Sequence, residues 1–284
     1  MKNISELIKY CEQMMMHNGI ECAYSDAKEI VLFACHIDRD AFFFHLTDIV
    51  SQEAEEKALS MLHERVQGTP LQYILGEWDF FGNPFFVFPG VLIPRPETEE
   101  LTDMAIRYIN ENDCRIVYDV CSGTGCIGLS IAIACPHVQV YLFELHEKPL
   151  QCMKQNMDRH QLHNVHIIPC DVLHPRLDEL PLADVLVSNP PYIPAKELVD
   201  LQREVQQEPM TALDGGDDGL VFYRALSFFW FEKLNAGGKM FFECAEGQPL
   251  QIVDLFVDDH KDVKKAFGLH DFYGNERFVV IEKF

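Results

Sequence analysis

The sequence predicts an α/β protein in which a mainly parallel sheet, covered by helices on both faces, follows a small helical domain and a β-hairpin connector. Apolar residues near the amino terminus recur at three- and four-residue spacing, which is typical of helices. A stretch rich in phenylalanine, glycine and proline follows, which favours a hairpin. From residue 115 onward, short apolar segments alternate with amphipathic ones, as in parallel sheets.

The amino-terminal part is predicted to be helical and to occupy residues 1–75. One apolar face of a first helix is formed by Ile4, Leu7, Ile8, Cys11, Met14 and Met15. We expect Ser25 to cap a second helix and Ser51 a third, because serine side chains accept hydrogen bonds from free N–H groups at helix starts. Gly68-Thr69-Pro70 is expected to end these helices.

The connector is predicted at residues 76–93. Residues 78–91 are rich in phenylalanine and are interrupted by Gly82-Asn83-Pro84 and Pro89-Gly90, which are turn-forming sequences. This pattern indicates a β-hairpin that joins two domains. The second domain is then expected to span residues 94–284.

Six apolar segments in the second domain predict strands, at residues 116–120, 138–143, 165–169, 185–188, 239–243 and 278–281. Helices are predicted between them, at residues 127–134, 148–160, 220–234 and 249–257. Lys261, Lys264 and Lys265 are interpreted as the solvent-exposed face of a helix.

Charge and composition exclude several classes of function. The chain carries 23 Lys and Arg against 45 Asp and Glu, a net charge of −22, so direct binding to nucleic acid is not expected. No apolar run reaches membrane-spanning length, and the first residues lack the pattern of a signal peptide. We therefore expect a cytoplasmic protein without membrane contact.

Cysteine and histidine patterns give no metal site. The ten cysteines are scattered through apolar stretches without a CxxC pair, which favours buried, reduced thiols. His160, His163 and His166 are interpreted as solvated loop residues at a helix-to-strand turn, because no cysteine or carboxylate pattern completes a zinc site.

Ligand-type residues follow three consecutive predicted strands. Gly123-x-Gly125-x-x-Gly128 follows the first strand and opens a helix, which matches a nucleotide-binding fingerprint. Glu144 ends the second strand, where a carboxylate can accept both hydroxyls of a ribose. Asp171 follows the third strand, where it can receive an adenine amino group. For each acid alone, a helix cap or a turn former is the alternative.

Asn189-Pro190-Pro191-Tyr192 follows the fourth predicted strand, at the edge where α/β sheets bind ligands. The two prolines stiffen the backbone and remove two N–H donors. The Asn189 side-chain oxygen and the Pro190 carbonyl can accept both hydrogens of a planar NH2 group, and the Tyr192 ring can hold its plane. The alternative is a simple turn that ends a strand.

The fourth strand end selects among adenosine-containing cofactors. NAD and S-adenosylmethionine both carry adenosine, so the first three strand ends do not distinguish them. A dehydrogenase needs a proton donor such as a placed histidine or a tyrosine–lysine pair, and the sequence has no such constellation. Methyl transfer from a sulfonium to an amine or amide is the chemistry that fits.

With these motifs the chain resembles the peptide chain release factor glutamine methyltransferases (HemK-type, class I S-adenosylmethionine-dependent). The Asn-Pro-Pro-Tyr motif alone is shared with adenine-N6 and guanine-N2 methyltransferases, and the 94–98 segment makes the match more specific. The matching segments, in chain order, are residues 68–76, Phe80-x-Gly82, residues 92–99, residues 119–125, residues 189–192, residues 212–220 and Asp271-x-x-Gly274-x-x-Arg277.

The resemblance implies a Rossmann-like, seven-stranded methyltransferase domain preceded by a helical substrate-recognition domain. It implies transfer of a methyl group from S-adenosylmethionine to the side-chain amide nitrogen (N5) of the glutamine in the Gly-Gly-Gln motif of release factors, with S-adenosylhomocysteine as product. Release factors would be the protein partners, and we expect the enzyme to be monomeric.

By position, the resemblance also implies site residues. Cofactor binding is expected at Cys121, Ser122, Gly123, Thr124, Gly125, Glu144, Val172 and Asn189, and, from its place after the third strand, at Asp171. Substrate binding is expected at Asn189, Pro190, Pro191 and Tyr192, and catalysis at Asn189, Pro190 and Tyr192. The chain departs from relatives at Cys121-Ser122, where Gly-Thr is frequent, and at Val172, where an aromatic residue is frequent.

Three alternatives remain open from the sequence. A ribosomal-protein glutamine methyltransferase would share every site residue. A nucleic acid amino-group methyltransferase is disfavoured by the net charge of −22. A non-catalytic S-adenosylmethionine-binding adaptor would not need the amide-binding turn.

Asp214, Asp217 and Asp218 lack the spacing of calcium ligands, and we expect them to shape a turn and cap the helix near Leu220.

Overall fold

The structure, a computed structural model, describes residues 2–284. The chain forms two compact units: residues 2–77 with Gln202–Gln207, and Trp78–Leu201 with Glu208–Phe284. Within the described chain, each helix is too short or too polar to cross a membrane.

The first unit is helical. Its helices are α1 (Ile4–His17), α2 (Ala23–Cys35), α3 (Phe42–His45), α4 (Gln52–Val66) and α5 (Leu71–Leu75), with a 3-10 turn at Arg39–Ala41. A capping box starts α1, since Asn3 Oδ1 accepts from the Glu6 N–H at 2.8 Å and Glu6 Oε2 accepts from the Asn3 N–H at 3.0 Å.

Two sequence expectations for this unit differ in outcome. Ser51 caps α4 as predicted, and its hydroxyl accepts from the Ala54 N–H at 3.2 Å. The prediction for Ser25 was wrong, because α2 already begins at Ala23. Ala23 is buried, so tertiary packing extends the helix beyond the cap signal. The helices also do not end at Pro70, which precedes the short helix α5.

A buried ion pair joins the helices of the first unit. Arg65 Nε donates to Asp26 Oδ2 at 2.7 Å, and Arg65 Nη2 lies 2.8 Å from Glu204 Oε1. Asp26 and Arg65 are both buried. Because an unpaired buried charge is costly, this triad ties the 202–207 segment to α2 and α4.

The hairpin consists of β1 (Glu77–Phe80) and β2 (Asn83–Phe86). Phe81 and Gly82 form its two-residue turn with φ of 49° and 72°, the left-handed geometry that suits tight hairpins. Phe80 and Phe85 are fully buried in a core of the second unit. The hairpin is thereby fixed to the second unit through its phenylalanine side chains.

The second unit contains a seven-stranded sheet with the order β5-β4-β3-β6-β7-β9-β8. Its strands are β3 (Ile116–Val120), β4 (Gln139–Glu144), β5 (Val165–Pro169), β6 (Ala183–Ser188), β7 (Leu234–Glu243), β8 (Val263–His270) and β9 (Glu276–Lys283). The first five strands in this order are parallel, and β9 is antiparallel to both β7 and β8. The predicted α/β class is confirmed.

Helices cover both faces of the sheet. They are α6 (Pro96–Glu111), α7 (Cys126–Ala134), α8 (Glu147–Arg159), α9 (Val221–Ala225) and α10 (Pro249–Asp259). Neighbouring strand residues alternate between the two cores: Val117 packs in one with α6 and α7, and Tyr118 in the other with Trp230. Double-sided burial explains the continuous apolar runs of the central strands.

The lysine cluster was interpreted wrongly. Residues 263–270 form β8, an edge strand, and not a helix. Lys264 Nζ pairs with Glu282 Oε1 on β9 at 2.6 Å, across the two strands. Charged residues are common on edge strands, where they discourage pairing with other chains, and they remove the apolar signal by which a strand is predicted.

The predicted helix at 220–234 is shorter and less regular than expected. After α9, Leu226–Trp230 are π-helical, Phe231–Lys233 form a 3-10 turn, and β7 already begins at Leu234. The histidine interpretation also needs correction, since His166 lies within β5 and stacks on Tyr141.

Candidate active site

The carboxyl ends of β3, β4 and β6 surround a cavity of about 450 Å³. Because β3 lies between β4 and β6, this crevice is at the point where the strand order reverses, the usual ligand site of such sheets. The cavity is lined by Cys121, Gly123, Glu144, Asp171, Val172, Asn189 and Pro191 among the predicted residues. It is not lined by Ser122, Thr124, Gly125, Pro190 or Tyr192.

The glycine fingerprint divides into two roles. Cys121, Gly123 and Gly125 have left-handed backbone, with φ of 63°, 55° and 80°. Glycine adopts this conformation without cost, whereas a cysteine there is strained. Gly128 serves packing instead, because a Cβ at this position would come within 2.2 Å of the Leu142 side chain. The loop therefore turns sharply before α7 lies closely against the sheet.

Ser122 and Thr124 act within the loop itself. The Ser122 hydroxyl donates to the Asp119 carbonyl at 2.7 Å, and the Cys126 N–H donates to Thr124 Oγ1 at 3.4 Å. Both side chains are buried. These bonds shape the backbone that faces the cavity, which explains why the two side chains do not line it.

Glu144 connects the loop after β3 to the end of β4. Its Oε2 accepts from the Gly123 N–H at 3.0 Å, and its Oε1 accepts from the N–H groups of Leu145 and His146 at 2.8 and 2.9 Å. A carboxylate has about four acceptor positions, so three are already used by the backbone. Glu144 is a structural part of the cavity wall as well as a candidate ligand.

The third strand end is fixed by two hydrogen bonds. Asp171 Oδ1 accepts from the Leu173 N–H at 2.9 Å, and the Trp230 indole N–H donates to the Val172 carbonyl at 3.2 Å. Within residues 2–284, Asp171 Oδ2 accepts no hydrogen bond. This oxygen is thus available to a ligand beside the apolar Val172 side chain.

The Asn189 side chain is held by its nitrogen. Asn189 Nδ2 donates to Thr98 Oγ1 at 3.2 Å. No donor among the described residues bonds to Asn189 Oδ1 or to the Pro190 carbonyl. Both predicted acceptors of the turn are therefore unoccupied by the protein, and Asn189 lines the cavity.

The 212–220 segment clamps the turn from the other side. The Ile193 N–H donates to the Leu213 carbonyl at 3.0 Å, and the Gly215 N–H donates to the Ile193 carbonyl at 2.9 Å. A Cβ at Gly215 would lie 2.9 Å from the Pro191 carbonyl oxygen, and a Cβ at Gly219 would lie 2.3 Å from the Tyr192 carbonyl oxygen. Glycine is needed at both positions because the backbone of the 212–220 segment lies directly against the backbone of Pro191 and Tyr192.

Two of the three acidic residues of this segment shape turns as expected, but the expected cap was wrong, because α9 has Leu220 at its N-cap and no side-chain cap hydrogen bond. Asp214 Oδ1 accepts from the Gly216 N–H at 2.8 Å, and Asp218 Oδ1 accepts from the Leu220 N–H at 3.1 Å. The Arg224 guanidinium pairs with Asp218 and lowers the pKa of its carboxyl to about 2.

A buried carboxylate that the sequence analysis did not single out lies behind the turn. Thr98 Oγ1 donates to Glu243 Oε2 at 2.6 Å, and the Tyr192 hydroxyl lies 3.4 Å from Glu243 Oε1. Burial raises the pKa of Glu243 to about 7 and also raises the pKa of Tyr192. Glu243 ends β7, and a polar residue at a strand end was the signal that could have identified it.

The 92–99 segment is anchored in the same unit. Arg95 pairs with the buried Glu208, whose Oε2 also accepts from the Ile93 N–H at 2.9 Å. Pro96 then opens α6, with Thr98 in its first turn. The anchor places the Thr98 hydroxyl beside the Asn189 side chain.

One cluster of metal-type ligands occurs in the described part of the chain, at Glu232, His260 and Asp262. Lys283 Nζ lies 3.4 Å from Glu232 Oε2 and 3.5 Å from Asp262 Oδ2. The ammonium group already balances these carboxylates, so the cluster is an ion-pair network.

Comparison with known proteins gives family matches over both parts of the chain. Residues 6–76 match the PrmC N-terminal domain, and residues 96–227 match the methyltransferase small domain. A release factor glutamine methyltransferase of Geobacter sulfurreducens is 33% identical over 89% of this chain and 88% of its own length. One of Bacillus anthracis is 32% identical over 98% of this chain and 99% of its own.

Among solved structures, a 16S rRNA N2 G1207 methyltransferase of T. thermophilus, in complex with AdoMet and guanosine, is similar in fold. It has a TM-score of 0.52 and 16% identity, and the match covers 73% of this chain and 50% of that chain. At this identity the likeness shows the fold alone.

The sheet order, the glycine loop after the first strand and the Asn-Pro-Pro-Tyr turn after the fourth define a Rossmann-like methyltransferase. The relatives at 32–33% identity span nearly the whole chain and share one name. This chain belongs to the family of release factor glutamine methyltransferases.

Proposed function

We propose that the chain transfers a methyl group from S-adenosylmethionine to the side-chain amide nitrogen (N5) of the glutamine in the Gly-Gly-Gln motif of peptide chain release factors. The supporting observation is the orientation of Asn189. Its Nδ2 is bonded to Thr98 Oγ1, so its Oδ1 is left to accept a hydrogen bond from a substrate NH2 group.

The cavity suits an adenosyl ligand. Its volume of about 450 Å³ lies in the range of small-molecule sites. Glu144 retains an acceptor position for a ribose hydroxyl, and Asp171 Oδ2 is available to an adenine amino group. Leu145 and Val172 contribute apolar surface to the same cavity. These acceptors and apolar side chains therefore fit S-adenosylmethionine, which supplies an electrophilic methyl group on a sulfonium when bound.

Asn189 and Pro190 are proposed to bind the substrate amide. An amide nitrogen is a poor nucleophile because its lone pair is delocalised into the carbonyl. When Asn189 Oδ1 and the Pro190 carbonyl accept both N–H bonds, electron density on that nitrogen rises. A bound S-adenosylmethionine would supply the methyl group to this nitrogen and become S-adenosylhomocysteine, while one proton of the amide nitrogen would pass to water.

Positioning supplies most of the rate enhancement in this proposal. Holding reacting atoms at a separation of about 3–3.5 Å is worth roughly 7–11 kcal/mol. The two prolines after Asn189 and the close backbone contacts at Gly215 and Gly219 restrict the turn. The turn therefore loses little conformational entropy when substrate binds. Tyr192 is proposed to orient the amide plane.

Residues 1–75 are proposed to recognise the release factor, and residues 94–284 to carry the transferase site. Residues 76–93 are proposed to connect these two domains. The match of residues 6–76 to the PrmC N-terminal domain supports the first assignment. We further propose that the enzyme acts as a monomer on protein and not on nucleic acid, and the net charge of −22 supports the second point.

The test is incubation of the enzyme with labelled S-adenosylmethionine and one acceptor at a time: a release factor, its Gln→Ala variant in the Gly-Gly-Gln motif, ribosomal proteins, and RNA. We expect label on the release factor alone, at the glutamine N5 by mass spectrometry. Label on ribosomal protein or RNA would reassign the substrate, and label on none of them would contradict the transferase proposal.

A further inference from the structure

Three side chains that are distant in sequence form one hydrogen-bonded chain, which starts at Asn189 in the cavity wall and leads away from the cavity. Asn189 Nδ2 donates to Thr98 Oγ1 at 3.2 Å, and Thr98 Oγ1 donates to Glu243 Oε2 at 2.6 Å. Thr98 and Glu243 are 2% and 1% exposed. The two inner groups are therefore shielded from bulk solvent.

The direction of this chain follows from the chemistry of its members. An ionised carboxylate only accepts, so the Thr98 hydroxyl hydrogen must point at Glu243. A hydroxyl has one hydrogen, so Thr98 Oγ1 can only accept from Asn189. The side-chain nitrogen of Asn189 then faces Thr98, and its oxygen faces away from it. The ionised state of Glu243 thus selects which end of the Asn189 amide is presented to the cavity.

We propose that Thr98 and Glu243 are positioning residues which hold the Asn189 amide with its oxygen toward the substrate. This inference deepens the proposed function and rests on it. Without the pair, the Asn189 amide can turn over and present an NH2 group, which repels the NH2 group of a substrate glutamine. The pair acts through Asn189 and touches no substrate itself.

The same geometry makes the orientation sensitive to protonation. Protonated Glu243 becomes a donor to Thr98, and the Thr98 hydroxyl can then donate to Asn189 Oδ1, which reverses the amide. Burial raises the pKa of Glu243 to about 7, so the protonation of this carboxylate falls within the pH range of an activity assay. The titratable groups that face Glu243 are Glu97, Cys126, Tyr192, Tyr223, Cys244 and Arg277. Of these, Arg277 favours the ionised form and Glu97 opposes it.

The test compares Thr98→Val, Thr98→Ser and Glu243→Gln with wild type in methylation of a release factor. Thr98→Val keeps the shape and removes the hydroxyl, and we expect kcat to fall about tenfold or more, the effect of one lost hydrogen bond in the transition state. Thr98→Ser restores the hydroxyl and is expected to stay within about threefold of wild type. The dissociation constant for S-adenosylmethionine should change less than kcat in all three.

Thr102→Val is the matched control. Thr102 is also buried on α6, and its hydroxyl donates to the Thr98 carbonyl at 3.0 Å, outside the chain to Asn189. We expect Thr102→Val to lose about as much stability as Thr98→Val, but to keep the kcat of wild type. Equal kcat losses in Thr98→Val and Thr102→Val would indicate a merely structural role and overturn the proposal.

The pH profile gives a second readout. Wild-type kcat/KM is expected to fall as the pH drops through about 7, because protonation of Glu243 reverses the direction of the hydrogen bonds from Glu243 through Thr98 to Asn189. The Glu243→Gln variant should be slower and should lack this decline. A decline that persists unchanged in Glu243→Gln would exclude Glu243 as its origin and contradict the inference.

A readout without methyl transfer separates this inference from the proposed function. In protein labelled with 15N-asparagine, the Asn189 side-chain NH2 signal, assigned by its loss in Asn189→Ala, reports the bond to Thr98. We expect its proton exchange with water to accelerate in Thr98→Val and not in Thr98→Ser. Absence of that change would refute the positioning role, whereas an inactive wild type with this change present would refute only the proposed substrate.

Discussion

Glu144 Oε2 accepts a hydrogen bond from the Gly123 N–H at 3.0 Å, and this bond ties the loop after β3 to the end of β4. The two residues are 21 positions apart in the chain, and both line the cavity. Because the carboxylate shapes the loop and is proposed to bind the ribose, changes at Glu144 should affect cofactor binding through both effects.

Glu144→Gln is expected to weaken binding of S-adenosylmethionine at least tenfold. The neutral amide loses the charge-assisted bonds, which are worth about 1.5–3 kcal/mol each, and its NH2 group opposes a backbone N–H. Isothermal titration calorimetry measures the effect. Glu147→Gln, an exposed change in the first turn of α8, is the control and should bind normally. Normal affinity in Glu144→Gln would remove this residue from the cofactor site.

Asn189→Ala is expected to lower kcat by about 10²–10³, the scale of one removed transition-state hydrogen-bonding group. Asn189→Asp should also be slow, since a carboxylate cannot donate to Thr98 Oγ1, whose own hydrogen is directed to Glu243. Cofactor affinity should weaken much less than kcat. Single-turnover methylation with a release factor makes the measurement, and near-normal turnover of Asn189→Ala would disprove the assignment.

Gly219→Ala is expected to destabilise the protein more than Gly237→Ala. Both glycines have left-handed backbone, with φ of 76° and 80°, so both substitutions carry the same strain of about 1–2 kcal/mol. A Cβ at Gly219 would lie 2.3 Å from the Tyr192 carbonyl oxygen, whereas at Gly237 nothing lies within 4 Å. Urea unfolding gives the difference between the two free energies, and methylation should fall only in Gly219→Ala. Equal effects would show that the backbone approach at Tyr192 is not tight.

The free energy of unfolding should decrease as the pH rises from about 4 to about 7, in part through Asp119. Burial raises the pKa of this carboxyl from 3.8 to about 7, so the folded state binds more protons than the unfolded state in that window. Asp119 Oδ1 is buried without a hydrogen-bond partner among the described residues, which makes its ionised form costly.

Asp119→Asn tests this linkage. The variant keeps an oxygen for the Gly128 N–H, which Asp119 Oδ2 accepts at 2.9 Å, and has no carboxyl to ionise. Denaturant unfolding at several pH values from 4 to 8 should give a shallower decrease than in wild type. Parallel pH curves for the two proteins would mean that Asp119 does not titrate in this window.

The central sheet and the positions of the strand ends could be predicted because buried parallel strands are continuous apolar runs. Val117, Val140 and Val185 belong to such runs and are completely buried. The edge strand β8 was missed for the opposite reason. Its faces are largely exposed and carry Lys264 and Lys265, so the local pattern does not differ from that of a solvated helix.

The sequence by itself determined six of the seven strands of the sheet, the glycine loop, and the acids and the Asn-Pro-Pro-Tyr turn that follow the strands. Backbone conformation and burial periodicity are local properties, so neighbouring residues reveal them. Only the tertiary structure brought Thr98 to Glu243, 145 residues away, and to Asn189. Side-chain hydrogen bonds between distant elements depend on how the helix and strands pack, and a single sequence does not encode that contact in any local pattern.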